Sequence, residues 1–208
     1  MSSMMGIYSK YIFPRLCDCF LNRPNVATHR QALLQQVGGR VLEIGFGTGL
    51  NLPWYPKQLQ ELSVIEPNAG MDRLAQERIK NAGIMIDAHR VTATELPFEK
   101  CSFDTVVSTF TLCSIKEVNV ALSEVYRVLK PAGRLLFLEH GLSNEVQIQN
   151  WQHRLNWLQK SFGDGCHLDR NIKELIALQP FASIEVQTQY LEKTPRIFGY
   201  LYRGEAIK

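Results

Sequence analysis

Arg40-Val41-Leu42-Glu43-Ile44-Gly45-Phe46-Gly47-Thr48-Gly49-Leu50-Asn51 decides how this chain is read. A short apolar run with the character of a buried strand carries one acid, Glu43, and then meets three glycines at alternate positions. Glycine lets the backbone turn sharply and lets a ligand approach where a Cβ would otherwise stand. A strand that ends in such a loop is where open α/β sheets bind nucleotide-like ligands. The spacing separates the ligand classes. A triphosphate-binding loop needs Gly-x-x-x-x-Gly-Lys-Ser/Thr, and no Lys follows Gly49. The dinucleotide pattern Gly-x-Gly-x-x-Gly wants a small residue at position 50, where Leu50 stands.

The residues that follow add their own evidence. After a stretch holding Pro53 and Pro56 comes Leu62-Ser63-Val64-Ile65, ending at Glu66, 21 residues after Gly45. An acid at the tip of a second strand, about 20 residues on, is placed to accept hydrogen bonds from ribose hydroxyls. Glu43-x-Gly45-x-Gly47-x-Gly49 resembles the first motif of the class I S-adenosylmethionine-dependent methyltransferases. Glu66-Pro67-Asn68-Ala69-Gly70-Met71 resembles their second motif, and Thr92-Ala93-Thr94-Glu95-Leu96-Pro97-Phe98 their adenine-edge loop. Ser102-Phe103-Asp104 and Leu129-Lys130-Pro131-Ala132-Gly133-Arg134 keep the order before the fourth and fifth strands. One departure is visible: Thr94 follows Ala93 where the family usually has Glu, which shifts adenine recognition toward backbone groups.

The resemblance implies S-adenosylmethionine as the cofactor and divides its binding among named residues. Glu43, Gly45, Gly47, Gly49 and Asn51 would serve the methionine and ribose portion. Glu66 would take the ribose hydroxyls, with Pro67 beside it. Met71, Thr92, Ala93 and Thr94 would meet the adenine. Thr109 and Phe110, closing the fourth strand, would offer backbone carbonyls to the sulfonium and amino group.

Size, charge and cysteine content set bounds. With 208 residues, 45% of them apolar, the chain can bury one good core and is expected to form a single domain, with a helical lid over 1–38 and a Rossmann-like core over 39–208. No apolar run approaches the roughly 18 residues that span a bilayer. Met1-Ser2-Ser3-Met4-Met5 lacks the pattern of a signal peptide. The five cysteines (17, 19, 101, 113 and 166) are odd in number and form no Cys-x-x-Cys pair. Reduced thiols in a cytoplasm are expected, without a metal site or disulfide frame. Residues 1–40 carry five Lys or Arg against Asp18 alone, residues 41–149 ten against thirteen acids, and residues 150–208 eight against six. An acidic centre with basic flanks fits a solvated surface, or attraction to anionic lipid headgroups or an anionic substrate. Nothing resembles a nucleic-acid module, and the sequence does not address oligomeric state.

Strand and helix signals alternate. Residues 40–44, 62–66, 84–90, 104–109 and 134–139 read as strands, with helices near 68–82 and 117–129. The stripe Val118, Leu122, Val125, Val128, Leu129 marks the second of these, and Pro131–Gly133 ends it. Two N-terminal helical pieces, around 5–20 and 25–37, precede them. Tyr8, Tyr11, Ile12, Leu16, Cys19 and Phe20 recur at three- and four-residue intervals in the first, Pro14 kinks or restarts it, and Pro24-Asn25 stops and caps. After helices near 145–161 and 170–179, Ala182–Leu191 and Arg196–Ala206 have no helix between them and must pair antiparallel. The expected fold is therefore α/β, a mostly parallel sheet finished by an antiparallel hairpin, with helices on both faces. This is the class I methyltransferase arrangement.

Candidates for chemistry lie after the fourth and fifth strands, where Thr111, Cys113, Glu139 and His140 are expected nearest the reacting methyl. His140 could act as a base, because its pKa lies near neutrality, or could simply bond to the loop backbone. Cys113 fits a small apolar core residue better than a reacting group. Asp164-Gly165-Cys166-His167-Leu168-Asp169-Arg170 and Arg196-Ile197-Phe198-Gly199-Tyr200 resemble the membrane-associated thiol S-methyltransferases of animals. So do Leu112-Cys113-Ser114-Ile115-Lys116 and Leu138-Glu139-His140. The first of these segments also reads as a tight turn before a helix capped by Asp169. Tyr8-Ser9-Lys10-Tyr11-Ile12-Phe13-Pro14-Arg15-Leu16 resembles bacterial phospholipid N-methyltransferase-like proteins. The resemblance thus implies methyl transfer to a small acceptor, a thiol first. Phosphatidylethanolamine, a quinone precursor, or cofactor binding without transfer are the alternatives. The apolar N-terminal stripe is expected to face the acceptor pocket, with Tyr8 or Tyr11 reaching the methionine end of the cofactor.

Overall fold

The computed structural model describes residues 6–208, apart from the side chain of Asp72; Met1–Met5 and the expectations placed on them lie outside the described residues. A π-helical turn, Tyr8–Ile12, leads into helix α1, Phe13–Leu21, and α2 spans Pro24–Leu34. Strands β1 (Val41–Ile44), β2 (Glu61–Ile65), β3 (Met85–His89), β4 (Phe103–Thr109) and β5 (Leu129–His140) follow. Interleaved with them are α3 (Ala69–Ala82) and α4 (Val118–Val128). Then come α5 (Val146–Phe162), α6 (Ile172–Ala177), β6 (Ser183–Tyr190) and β7 (Tyr200–Ile207).

The strands form one 7-stranded sheet in the order β3-β2-β1-β4-β5-β7-β6. β1 pairs parallel with β2 and β4, β2 with β3, and β4 with β5, whereas β7 runs antiparallel to both β5 and β6. The expected fold class holds, and the order places a switch point between β1 and β4, where a ligand crevice opens. β1 is buried throughout, which is why it reads as a continuous apolar run. The stripe on α4 buries Val118, Leu122, Val125 and Val128 against the sheet, and the other face is filled by Leu33, Leu34, Val107, Leu136 and Leu138.

Several boundaries move for local reasons. α4 stops at Val128, and β5 begins at Leu129, because Leu129 already pairs with Phe103; an irregularity absorbs residues 130–133 before Thr105 meets Arg134. β7 begins at Tyr200 rather than at 196, since Pro195–Gly199 close turns through Phe198 N–H to the Pro195 carbonyl. Asn25 does not cap α2: Pro24 opens that helix, and the Asn25 amide donates to the Glu192 carbonyl instead. Asp169 does not cap α6; Asn171 does, accepting from Glu174 N–H. The expected tight turn is present, with Asp164 and Gly165 both at positive φ.

Candidate functional site

The glycine spacing is explained at the carboxyl end of β1. Gly45, Gly47 and Gly49 have φ of +70°, +57° and +77°, values that side-chain-bearing residues avoid. A Cβ on Gly45 would also lie 2.1 Å from Thr111 Oγ1. Over Gly47, by contrast, the nearest atom is the Gly45 carbonyl oxygen at 3.9 Å, so open space lies above the loop. Glu66 steadies both sides of that space. One carboxylate oxygen accepts from Gly47 N–H at 2.8 Å and the other from Asn68 N–H at 2.9 Å. Phe110, at the end of β4, is held at φ 54° while its N–H reaches the Leu138 carbonyl. Such strain in a side-chain-bearing residue gathers at functional sites.

These elements enclose a cavity of about 470 Å³, within the size range of small-molecule sites. Every cofactor residue expected from the sequence borders it except Gly49, which is buried behind the loop. Thr92 and Thr94 bond to each other across the loop at 2.7 Å between their hydroxyl oxygens. Of the group expected nearest the methyl, Thr111 borders the cavity and Cys113, Glu139 and His140 do not. The Glu139 carboxylate instead holds the turn after β4, accepting from Ser108 Oγ at 2.7 Å and Thr111 N–H at 3.0 Å.

The cavity floor is a buried polar network that the sequence did not announce. Glu43, 1% exposed, accepts from Tyr55 Oη at 2.6 Å and Asn51 Nδ2 at 2.8 Å. Burial pushes its carboxyl up to about 7, against the opposing pull of those two hydrogen bonds and the Arg30 charge. Arg30 of α2 donates through Nη1 to Asn51 Oδ1 at 2.5 Å and to Thr109 Oγ1 at 3.1 Å. Its guanidinium stands 5.4 Å from the Phe110 ring centroid. Burial draws it down to about 10, and its Nε has no hydrogen-bond partner. No local spacing signals Arg30, because it lies on a helix whose sequence has no tie to the glycine loop.

The N-terminal segment borders the cavity, with a different face from the one expected. Phe13, Cys17 and Leu21 border it, while Tyr11, Ile12, Leu16, Cys19 and Phe20 are exposed. Tyr8 points its hydroxyl to the Phe162 carbonyl, and neither Tyr8 nor Tyr11 borders the cavity. The register is set by a clasp. Asp18 accepts from Thr48 Oγ1 at 2.6 Å and from Arg78 Nη1 at 2.7 Å, and Arg78 Nη1 donates in turn to the Thr48 carbonyl. Burial would raise the Asp18 carboxyl, but the Arg78 and Thr48 hydrogen bonds outweigh it and hold it low. Ser9 Oγ reaches Asp164 at 2.7 Å, and the Lys10 carbonyl comes so close to Gly70 that a Cβ there would lie 2.1 Å away.

Behind the cavity wall the fold assembles a group that sequence spacing could not show. Cys166 Sγ lies 3.2 Å from Cys113 Sγ and 3.3 Å from His140 Nε2. The Cys113 thiol and the His140 imidazole, both within hydrogen-bond reach, hold the Cys166 thiol well below its ordinary range despite burial.

Comparison with known proteins agrees with this geometry. The family described as "Methyltransferase domain" matches residues 42–137. The thiol S-methyltransferase TMT1B of Rattus norvegicus is 33% identical over 168 residues, covering 76% of this chain and 68% of its own. A phosphatidylethanolamine N-methyltransferase of Cereibacter sphaeroides is 28% identical over 167 residues, covering 79% and 77%. In fold, a Thermotoga maritima structure described as an S-adenosylmethionine-dependent methyltransferase, possible histamine N-methyltransferase, superposes with a TM-score of 0.69 at 21% identity, over 97% of this chain and 98% of that one. With the glycine loop, the acid after β2 and the antiparallel β7 all in place, this chain belongs to the class I S-adenosylmethionine-dependent methyltransferases.

Proposed function

We propose that the chain methylates the sulfur of a small, apolar thiol. The cavity suits the cofactor: open space lies over Gly47, an acid flanks it at Glu66, and Arg30 borders it. Glu66 would hold the ribose hydroxyls, Arg30 the methionine carboxylate, and Met71 with Ala93 the adenine. When bound, S-adenosylmethionine supplies a methyl group on a sulfonium, a good leaving group for in-line displacement.

What remains for the protein is alignment and exclusion of water. The observation that carries the thiol reading is the wall where α1 meets the cavity. Phe13, Cys17, Leu21, Phe110 and Ile115 give it an apolar lining, with the Arg30 cation behind. Of the acids bordering the cavity, Glu43 is held by Tyr55 and Asn51, Glu66 by two backbone N–H groups and Asp164 by Ser9, while Glu117 stands at the start of α4. Burial pushes the Cys17 thiol up to about 12, so it stays a neutral wall residue rather than a base. An ammonium acceptor must lose a proton to a base before it can attack, whereas a thiol ionises near pH 8.5 unaided and is the nucleophile as thiolate. His140 is then not needed as a base. The relative named a thiol S-methyltransferase at 33% identity supports the same choice.

The 1–38 segment acts in this reading as a lid on a single 39–208 core, gated by the Asp18–Arg78–Thr48 clasp. Its outward face, Ile7, Tyr11, Ile12, Leu16 and Phe20, with Trp157 and Phe162 of α5, supports peripheral contact with a lipid surface. Lys10, Arg15 and Arg23 add basic charge beside it. Among the described residues no helix is long and apolar enough to cross a membrane.

The deciding experiment offers thiols of graded acidity, phosphatidylethanolamine and quinone precursors, and reads S-adenosylhomocysteine formation. Thiol turnover should rise with the thiolate fraction of the acceptor between about pH 6 and about pH 9. Faster turnover of the amine, with a thiol rate indifferent to acceptor pKa, would overturn the proposal in favour of the lipid headgroup.

A further inference from the structure

We propose that Cys113, His140 and Cys166 form a binding site for a thiophilic d10 cation, Zn²⁺ first. Among the described residues, these three place one ligand atom each within 4.8 Å of one another, Cys113 and His140 buried and Cys166 partly so. They come from three separate segments: the loop after β4, the end of β5, and the turn between α5 and α6.

The distances are close to what the ion requires. With Zn–S of about 2.3 Å and Zn–N of about 2.0–2.1 Å, tetrahedral angles put two sulfurs about 3.8 Å apart and sulfur from nitrogen about 3.6 Å. The structure has 3.2 Å between the two Sγ atoms and 3.3 Å from Cys166 Sγ to His140 Nε2. An outward shift of roughly half an ångström in the side chains opens the centre to the ion. The charges also suit a buried position, since two thiolates and a neutral imidazole leave a Zn²⁺ complex with no net charge.

The surroundings hold the ligands without the ion. His167 N–H donates to the Cys113 carbonyl at 2.9 Å, and Arg170 Nη1 donates to the Leu112 carbonyl, tying the 166–170 segment to the 112–113 turn. The Cys113 N–H faces Glu139 Oε2 at 3.4 Å, and the His140 ring bonds its own backbone. Outer hydrogen bonds of this kind orient metal ligands. Three protein ligands leave one position open, the arrangement of zinc sites that carry a water or a substrate. Ser114 and Asp164, each within two residues of a ligand, border the methyl-transfer cavity, so the site backs onto its wall. It stands apart from the choice of methyl acceptor.

The test uses the full chain, reduced, stripped with chelator and titrated with Co²⁺ and then Zn²⁺. Expected are one equivalent of Co²⁺ with sulfur-to-metal charge-transfer absorption and tetrahedral d–d bands, bleached by Zn²⁺. Cys166→Ser and His140→Gln should each weaken Zn²⁺ by more than about 100-fold, beyond the cost of losing an outer partner. Cys101→Ser, exposed and remote, should change nothing. If a variant fails to fold, ¹¹³Cd resonance on the wild-type chain should report two sulfurs and one nitrogen. Octahedral Co²⁺ spectra, binding that survives Cys113→Ser/Cys166→Ser, or wild-type protein whose two thiols pair as a disulfide without taking up metal would each refute the site.

Discussion

Replacing Glu43 by Gln should flatten the pH dependence of folding stability. Glu43 lies 1% exposed beneath the cofactor cavity, and burial lifts its carboxyl from 4.5 to about 7. Below about pH 4.5 the carboxyl is protonated in both states and contributes no difference. As pH rises the unfolded chain ionises first, while the folded chain keeps its proton until near 7, so the unfolded state is progressively favoured. Two and a half pKa units at about 1.4 kcal/mol each make this loss roughly 3–4 kcal/mol across the window from 4.5 to 7. Glutamine keeps the shape and most of the bonding. Its carbonyl can accept from Asn51, and its amide can donate to a Tyr55 hydroxyl turned to receive it. Urea unfolding of both proteins at intervals between about pH 4.5 and 8 measures the difference. Glu139, whose carboxyl burial also raises, contributes equally to both and cancels. The wild-type curve should fall relative to the variant by roughly 3–4 kcal/mol. Curves parallel within about 0.5 kcal/mol would refute the buried, proton-holding carboxyl.

Glu66→Ala should weaken S-adenosylmethionine by about 100-fold or more, the loss of two charge-assisted hydrogen bonds at roughly 1.5–3 kcal/mol each; calorimetry showing unchanged affinity in a folded variant would exclude Glu66 from the ribose site. Asp18→Ala breaks the contacts to Thr48 and Arg78 and should loosen the lid, raising KM for the cofactor by roughly 5- to 30-fold. An unchanged KM would remove the clasp from the mechanism. Leu122→Ala, in the fully buried face of α4, should cost about 2–5 kcal/mol of stability by denaturant titration, with cofactor affinity retained in the folded fraction. Vesicles containing anionic lipid should sediment the protein at low salt, and Lys10→Glu/Arg15→Glu should abolish that; equal binding to neutral vesicles would leave charge out of it.

The sequence by itself determined the sheet and which residues gather around one cavity, because both rest on short-range rules. A buried strand must be apolar along its length, a loop at positive φ must be glycine, and an acid about 20 residues later must follow the second strand. Twelve of the thirteen expected cofactor residues accordingly border one cavity, and the thirteenth, Gly49, supports it from behind. The strand boundaries near 129 and 200 escaped, since Leu129 is fixed by its partner Phe103 and Tyr200 by Tyr190 and the turn before it.

Tertiary structure alone decided what meets across long separations. Arg30 reaches Thr109, Asp18 reaches Arg78, and Cys166 reaches Cys113 and His140, pairs 79, 60, 53 and 26 residues apart. The absence of a Cys-x-x-Cys pair spoke only for ligands neighbouring in sequence, and the fold brings three distant ones together. The outward face of α1 was likewise out of reach. Periodicity marks an apolar stripe without saying whether it faces core, ligand or solvent, and here the Asp18 clasp turns Phe13, Cys17 and Leu21 inward and leaves Tyr11, Leu16 and Phe20 outside. Periodicity is a property of one helix, whereas orientation belongs to the contacts between helices, and these exist only once the chain has folded.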